Sequence, residues 1–594
     1  MNAATARAFT HSEPSEEKAL DDASISPHPI SLKLEISQIS IPNDPLPLPP
    51  DQPAPLPEVP PSIEPLPNPE ELLRPTPDFS PSDNSQPSAD DIEERVIVKQ
   101  FVVIGSTIFT NAEFEEALSS FQNRPLTFSE LLDARDTITD LYINQGYVTS
   151  GAFIPAEQIV EDGIVIIQVL EGELSDIKIE GNQRLKSAYI RSRVNLASGP
   201  PLNIQELLEA LQVLQLNPII ESIAAELVAT PNPGESTLIV RLQEAQTFSL
   251  NVQLNNYESP LLSTFQQRVE ASEENLTGRG DNLTLSYQHA GSSNVFEAEY
   301  NLPVSPRNTS LDLRYAYTDS EITQTELSLI APQSETHTWE VGLSHPVLET
   351  PEDKITLGLH LEQRISQSFI EPFGVSRTPF GFPGSGSTDE GFTRATILQF
   401  SQEWQHRTPN QLIFLDSRFR LGTNWLGATG SSDTDEPDIE FFAWQGQALW
   451  LQRLNPDWLL VTRAAGQVAD RPLIASELFG LGGANNVRGY RKDQILSDSG
   501  FLISLEVQTP ILRWPEQDTV ISLAPFIDYG VAWNRDDQSL SEESLVAIGT
   551  GLIFQISENF TARLDYALPL IDVSGNGNTW QESGFLFLID ATLF

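Results

Sequence analysis

The sequence predicts a mainly β protein: a closed, sixteen-stranded transmembrane β-barrel preceded by two βααββ units and a disordered, proline-rich N-terminal extension. Three observations predict it. Apolar and polar residues alternate with a period of two through residues 247–594, a strand–helix–helix–strand–strand pattern occurs twice just before them, and 20 of the 44 prolines fall in residues 1–95.

The extension, 1–95, contains the run PNDPLPLPPDQPAPLPEVPPSIEPLPNPEELLRPTPDFSP. Such a composition cannot bury a core and reads as an extended, partly polyproline-like spacer. A recognition motif for a proline-binding partner is the alternative. The opening residues MNAATARAFTHSEPSEE lack the apolar centre of a secretory signal, and residues 1–30 show no amphipathic helix.

From Val96 the texture changes. RVIVKQFVVIGS predicts a strand, NAEFEEALSSF and FSELLDARDTITDLYINQG amphipathic helices, and VTSGAFIP and GIVIIQVLEG two more strands. The same order then returns as LSDIKIEG, SAYIRSRVNL, NIQELLEALQVL, IESIAAELVA and STLIVRLQEA. These are two units, 96–174 and 175–246, each turning through a glycine after its first strand, so they form an internal repeat.

In 247–594 helical periodicity is scarce. KITLGLHLEQ sets Ile355, Leu357, Leu359 and Leu361 against Thr356, Gly358, His360 and Glu362, and FLISLEVQ sets Phe501, Ile503, Leu505 and Val507 against Ser504, Glu506 and Gln508. A soluble sandwich also alternates, so number and spacing must decide. Sixteen segments begin near 247, 263, 281, 294, 309, 335, 354, 392, 411, 440, 457, 500, 519, 544, 559 and 584. Odd-numbered connections include the long stretches 366–391, 423–439 and 469–499, whereas even-numbered ones are mostly tight, such as RTPN, NPD and SEN. An even strand count with short turns on one rim and long loops on the other is the pattern of an outer-membrane barrel. Closure also removes the edges that hydrocarbon cannot solvate. Tyr257, Trp404, Trp450 and Phe594 are placed to join aromatic girdles.

Composition removes other classes. With no cysteine, disulfides, zinc–thiolate sites and thiol catalysis are excluded. The seven histidines show no metal-ligand spacing, and a formal charge of −49 opposes binding to nucleic acid. No Gly-x-Ser-x-Gly elbow or carboxylate pair with a partner histidine stands out, so no enzyme, metal or cofactor is expected. No run of 18 apolar residues offers a helical membrane span.

One stretch invites a ligand reading: LFGLGGANNVRGYRKD, residues 478–493. A phosphate loop needs glycines at set offsets, but Asn485 stands where the dinucleotide fingerprint needs glycine, and no Gly-Lys-Ser/Thr follows. Gly480, Gly482 and Gly483 are instead read as a hinge that turns a long loop. By register along TVISLAPFIDYG, Ile521, Leu523, Ile527 and Tyr529 face lipid, so Phe526, Asp528 and Gly530 point into the lumen. Arg488 could by itself be a solvated loop residue.

In this order and architecture, Val487-Arg488-Gly489-Tyr490, Phe526-x-Asp528-x-Gly530 and NLTGRGD at 275–281 resemble the motifs of two-partner secretion transporters (TpsB, the ShlB/FhaC/HecB haemolysin secretion/activation type). These belong to the BamA-like superfamily, in which the βααββ units are called POTRA domains. The resemblance covers roughly 96–594. It implies that Arg488 reaches through the lumen to Asp528, and that Gly489 lets the loop tip approach the wall. It also implies an outer-membrane translocase, expected to be monomeric, surrounded by outer-membrane lipid, with periplasmic POTRA domains that recognise a secreted, TpsA-like exoprotein unfolded in transit. Candidate recognition edges are 152–155 and 221–228. The alternative is an outer-membrane insertase or import channel of the same superfamily, although such proteins usually carry more than two POTRA domains. Two features depart from the family pattern. No plug helix is evident, and the last strand aligns terminal Phe594 with Asp590 and Thr592 rather than with its apolar face.

Overall fold

The computed structural model describes residues 73–74 and 95–594, except 157, 159–161, 323–330, 372–375, 382–386, 430–436, 516–517, 536–539, 541–542, 558, 574–576 and 578. The expected spacer 1–95, signal region and plug segment therefore lie almost wholly outside the described residues. The exception is β1, Leu73–Arg74.

The first unit comprises β2 (Val96–Val98), β3 (Gln100–Ile104), α1 (Asn111–Leu118), β4 (Arg124–Leu126), α2 (Phe128–Asn144), β5 (Gly151–Phe153) and β6 (Ile164–Leu170). The run RVIVKQFVVIGS is thus two strands rather than one, because β2 leaves the sheet to pair with β4. Helix α2 starts at a reciprocal cap, in which the Thr127 amide donates to the Glu130 carboxylate at 2.8 Å and the Glu130 amide to the Thr127 hydroxyl at 3.2 Å. Its apolar residues recur every three or four positions, so Leu131, Ala134, Ile138 and Tyr142 form one stripe. That stripe buries against Phe101, Val165, Ile167 and Val169 of a sheet ordered β3–β6–β5. Truncating a core side chain such as Ile138 to alanine should cost about 2–5 kcal/mol.

The second unit repeats the plan with β7 (Glu173–Glu180), α3 (Ser187–Val194), α4 (Ile204–Gln215), β8 (Ile220–Ala229) and β9 (Glu235–Glu244). Leu207, Leu211 and Leu214 of α4 pack on Leu238 and Val240. The repeat extends to its turns. Gly105 and Gly181 each follow the first long strand at φ +88° and +90°, and an added Cβ would lie 2.5 and 2.1 Å from the carbonyl oxygens of Val169 and Leu242. Only glycine fits there. The sheet order is β8–β9–β7, and β1 pairs in parallel on the outer side of β8, Leu73 opposite Ala225 and Arg74 opposite Glu226.

Sixteen long strands then close a barrel. They are β10 (Phe248–Asn255), β11 (Gln266–Glu274), β12 (Asn282–Ala290), β13 (Ser293–Pro303), β14 (Ser310–Glu321), β15 (Gln333–Glu349) and β16 (Asp353–Ile370). After the two-residue β17 (Thr378–Pro379), which pairs with the end of β16, come β18 (Phe392–Thr408), β19 (Gln411–Thr423), β20 (Phe442–Asn455) and β21 (Trp458–Ala469). A small hairpin, β22 (Phe479–Leu481) and β23 (Ile495–Ser497), interrupts the series. It continues through β24 (Ser499–Trp514), β25 (Thr519–Trp533), β26 (Ser544–Ile556), β27 (Phe560–Pro569) and β28 (Phe585–Thr592). All neighbours are antiparallel, and β10 meets β28 from Asn251 opposite Thr592 to Asn255 opposite Leu588. Among the described residues the sheet is closed on itself, so no strand is left as an open edge facing lipid.

Alternation sorts the two faces. Leu505, Ile527 and Tyr529 are exposed on the outside, whereas Ser504, Glu506 and Asp528 are buried within. Among the rim aromatics, Trp450 and Phe594 are exposed and Tyr257 and Trp404 half-buried. The parity puzzle at the C-terminus has a simple cause: β28 ends at Thr592, so Phe594 lies beyond the pleat and comes to rest with its ring 6.3 Å from that of Phe248.

The second unit sits on the tight-turn rim. The Lys186 ammonium donates to the Thr277 carbonyl at 2.7 Å, and an added Cβ at Gly280 would lie 2.7 Å from the Tyr189 ring, so the NLTGRGD turn is a seat for α3. Arg193 lies with its guanidinium carbon 3.5 Å from the Tyr189 ring centre and donates to Asn308 in the next tight turn at 2.6 and 2.9 Å.

Candidate functional site

The site is built by the connection between β21 and β24, which folds into the lumen instead of projecting from the rim. The β22–β23 hairpin carries it inward, and Gly482 and Gly483 reverse it at φ +103° and +113°. Gly480 plays a different part from the hinge expected of it: it lies within β22, paired with Leu496. The Asn486 side chain fixes the reversal by accepting from the Gly482 amide at 2.7 Å and donating to the Gly480 carbonyl at 3.2 Å.

The turn delivers Arg488 to the inner wall. Its Nε and Nη2 donate to the two Asp528 oxygens, each at 2.8 Å, and its Nη1 donates to Glu506 at 2.7 Å. Nη2 also donates to the Ser504 hydroxyl at 3.1 Å, and the Arg488 amide donates to Asp528 at 3.1 Å. Below the guanidinium plane, the Phe526 ring centre is 3.3 Å from its central carbon. A planar fork matched to a carboxylate, stacked on an aromatic face, is a role that arginine fills and lysine cannot. Arg488 is 2 % exposed and Asp528 0 %, so neither charge could be left unpaired cheaply.

Every residue of the two motifs has a physical place here. Phe526 floors the guanidinium, and Asp528 pairs with it. Gly530 leaves the space that Leu481 and Val487 fill, since an added Cβ would lie 2.7 and 3.0 Å from them. Gly489, at φ +87°, brings the backbone against the wall, where its Cβ would be 3.2 Å from that of Ala567. Tyr490 is buried, and its hydroxyl donates to the Val546 carbonyl at 2.8 Å while accepting from the Ile571 amide at 3.1 Å.

Sequence reasoning missed the rest of the cluster. Arg563 on β27 pairs with Glu506 at 2.7 Å and with Asp565 at 2.8 Å, and Arg463 on β21 stands opposite Ser504 in register. Glu506, Asp528 and Asp565 thus face Arg463, Arg488 and Arg563, three charges against three. The parity of FLISLEVQ did assign Ser504 and Glu506 to the polar face, which was the available signal. The return limb of the loop meets both sides of the barrel seam. Lys492 pairs with Glu258, just after β10, at 2.7 Å, and its amide donates to Gln581, just before β28, at 2.9 Å. Gln581 in turn donates to the Asn256 carbonyl at 2.9 Å.

The acids of the site are matched by arginines, and among the described residues no group of three or more His, Cys, Asp or Glu side chains could hold a metal ion. The arrangement holds a loop in a lumen; it offers no nucleophile–base pair.

Comparison with known proteins points the same way. Residues 96–172 match the ShlB-type POTRA domain, and 234–378 with 389–554 match the haemolysin secretion/activation protein ShlB/FhaC/HecB. The outer membrane transporter CdiB of Escherichia coli is 24% identical over 489 residues, covering 80% of this chain and 79% of that protein. The heme/hemopexin transporter protein HuxB of Haemophilus influenzae is 23% identical over 503 residues, covering 79% and 82%. The solved structure of CdiB from Escherichia coli superposes with a TM-score of 0.65 at 22% identity, over 87% of this chain and 93% of that one. A POTRA-truncated BamA from Haemophilus ducreyi gives 0.50 at 16% identity, over 84% and 100%. At such identities the superpositions speak for the fold.

Proposed function

The chain belongs to the haemolysin secretion/activation family ShlB/FhaC/HecB, and we propose that it secretes one dedicated exoprotein, held unfolded, through a lumen that the β21–β24 loop occupies at rest. It is an outer-membrane transporter of the two-partner secretion type, with its POTRA region in the periplasm. The second βααββ unit acts as a second POTRA domain, and the tight-turn rim on which it sits is the periplasmic rim.

The observation that carries the reading is the latch. A loop that could extend into solvent is instead seated inside the barrel by a buried, bidentate Arg488–Asp528 pair. A permanent plug would be at odds with transport, so the latch must release when cargo enters. The inner wall suits a passing polypeptide because it is polar, with Ser249, Asn251, Ser272, Thr284 and Ser401 among the lining residues.

Recognition is assigned to the periplasmic units through strand addition, in which an extended peptide pairs with an open sheet edge. Strand β5 is one of the two outer strands of the first sheet, β3 being the other. Strand β8 is partly covered by β1 at Ala225 and Glu226, so cargo there must pair beside the chain's own extension or displace it. Transport needs no bound nucleotide, since folding outside the cell can bias the direction.

Gene deletion tests the reading against the insertase alternative. Loss of a single exoprotein from the medium is expected, whereas a broad loss of outer-membrane proteins would overturn it. Removing residues 175–245 should abolish secretion of that exoprotein; undiminished secretion would exclude a required role for the second unit.

A further inference from the structure

The loop has a second charged contact, on a separate stretch of wall. Ahead of β22 the chain makes one short helical turn, Ala475–Glu477, and Glu477 points from it to β16 and β19. Its carboxylate lies 2.8 Å from Arg364 Nη1 and 3.1 Å from Arg420 Nη2, and Glu362 completes the group at 2.7 and 3.3 Å from the same two arginines. All four side chains are buried. The backbone is held as well: Gln467 donates to the Glu477 carbonyl at 2.8 Å, and Arg364 to the Ser476 carbonyl at 3.3 Å.

Counting charges shows why this matters. Without the loop, the directly paired wall groups are Arg364 and Arg420 against Glu362, two positive and one negative. At the other anchor the wall alone supplies Glu506, Asp528 and Asp565 against the directly paired Arg563 and the neighbouring Arg463, which acts on Glu506 and Asp528 without a direct ion pair, three negative and two positive. The two limbs of one loop therefore bring opposite charges to two wall sites, and each charge completes the balance where it lands. A buried charge left without its partner is costly, so each wall site selects the limb that neutralises it.

We propose that Glu477 is a second positioning residue of the gate, anchoring the outgoing limb of the loop as Arg488 anchors its tip, and that release requires both charged contacts to break. The proposal concerns the seating of the loop and stands on this geometry independently of the cargo.

The natural chain has no cysteine, which permits a direct test. Ser497, 0 % exposed at the foot of the hairpin beside Phe479, is replaced by cysteine in full-length protein, and its labelling by a polar maleimide is timed in detergent micelles. Retained heat-modifiable gel migration shows that each barrel is folded. Glu477→Arg is expected to speed labelling at position 497 at least about tenfold, because it sets three positive charges against one negative. Adding Arg420→Glu restores two against two and should return the rate to within about threefold of the parent. Glu477→Gln, which keeps shape and loses charge, should speed labelling about threefold or more and is the variant to read if the reversal does not fold. A parental rate in folded Glu477→Arg or Glu477→Gln, or an acceleration that Arg420→Glu leaves in place, would overturn the proposal. The assay contains no exoprotein, so its outcome is separate from the secretion reading.

Discussion

Replacing Arg488 with alanine removes three contacts to carboxylate oxygens at once: 2.8 Å to each oxygen of Asp528 and 2.7 Å to Glu506. The two acids fare differently. Glu506 keeps Arg563 at 2.7 Å, whereas Asp528 loses both guanidinium hydrogen bonds and, among the described residues, keeps the one from the amide of residue 488 at 3.1 Å. The loss is therefore close to that of orphaning one fully buried carboxylate, about 3–5 kcal/mol. Departure of the loop relieves that cost by letting water reach Asp528, so the seated population should fall by roughly 10²- to 10⁴-fold relative to the unseated one. Val487, 0 % exposed beside the latch, reports the change when converted to cysteine and labelled in an otherwise thiol-free barrel. Arg488→Lys should fall between parent and alanine, because an ammonium keeps the charge but cannot fork to both oxygens. In cells, Arg488→Glu should impair secretion, and Arg488→Glu with Asp528→Arg should restore it only in part, since Glu506 and Phe526 remain arranged for a cation arriving from the loop. Parental labelling in folded Arg488→Ala, or normal secretion by either single charge reversal, would refute the reasoning.

Three other predictions address the supports. Gly530→Val would drive a methyl-bearing side chain into Leu481 and Val487, whose nearest atoms stand 2.7 and 3.0 Å from the ideal Cβ position; unseating by about 1–3 kcal/mol is expected, read as faster labelling at position 487 with Arg488 and Asp528 untouched. Arg193→Ala removes the stack on Tyr189 and both bonds to Asn308, and should weaken docking of the second unit on the barrel by about 2 kcal/mol, seen as faster hydrogen exchange in α3 and the 275–281 turn. In the first unit, the Arg124 guanidinium and the Thr127 amide beside Glu130 hold its carboxyl down from 4.5 to about 2. A depressed acid stabilises the fold above its unfolded value, so this contribution is complete above pH 4.5 and is lost as pH falls toward about 2. Protection of the α2 amides should decline over that window in the parent and be flatter in Glu130→Gln.

The barrel was legible because two-residue alternation and the contrast between short turns and long loops are local properties of the chain. Strand β24 shows the limit. Its parity placed Glu506 on the inner face, but nothing local told that Arg563, 57 residues later, would lie three strands along to meet it. Pairing across a closed sheet is set by the register of every strand between them. Arg488 and Asp528 were found because motifs mark them, whereas Glu477 carries no mark and reads as an ordinary loop acid. Gly480 looked like its neighbours Gly482 and Gly483, yet only the latter two have positive φ, because the hairpin that absorbs Gly480 depends on Leu496, sixteen residues away. The β2–β4 pairing that divides the first strand of the first unit escaped notice for the same reason: three-residue strands have no periodicity to read.

A reversible lock on the loop tests the central claim most directly. Gly489→Cys with Ala567→Cys places two thiols where the Cβ positions are 3.2 Å apart, close to the 3.5–4.5 Å that a disulfide spans, and because residue 489 sits at φ +87° the reduced double variant, required to secrete like the parent before oxidation, is the control for backbone strain. With these the only cysteines in the chain, the account predicts that oxidised cells stop releasing the exoprotein, and that a reductant restores release while the barrel stays folded throughout. Undiminished secretion with the loop disulfide fully formed would contradict the claim that cargo passes by displacing this loop.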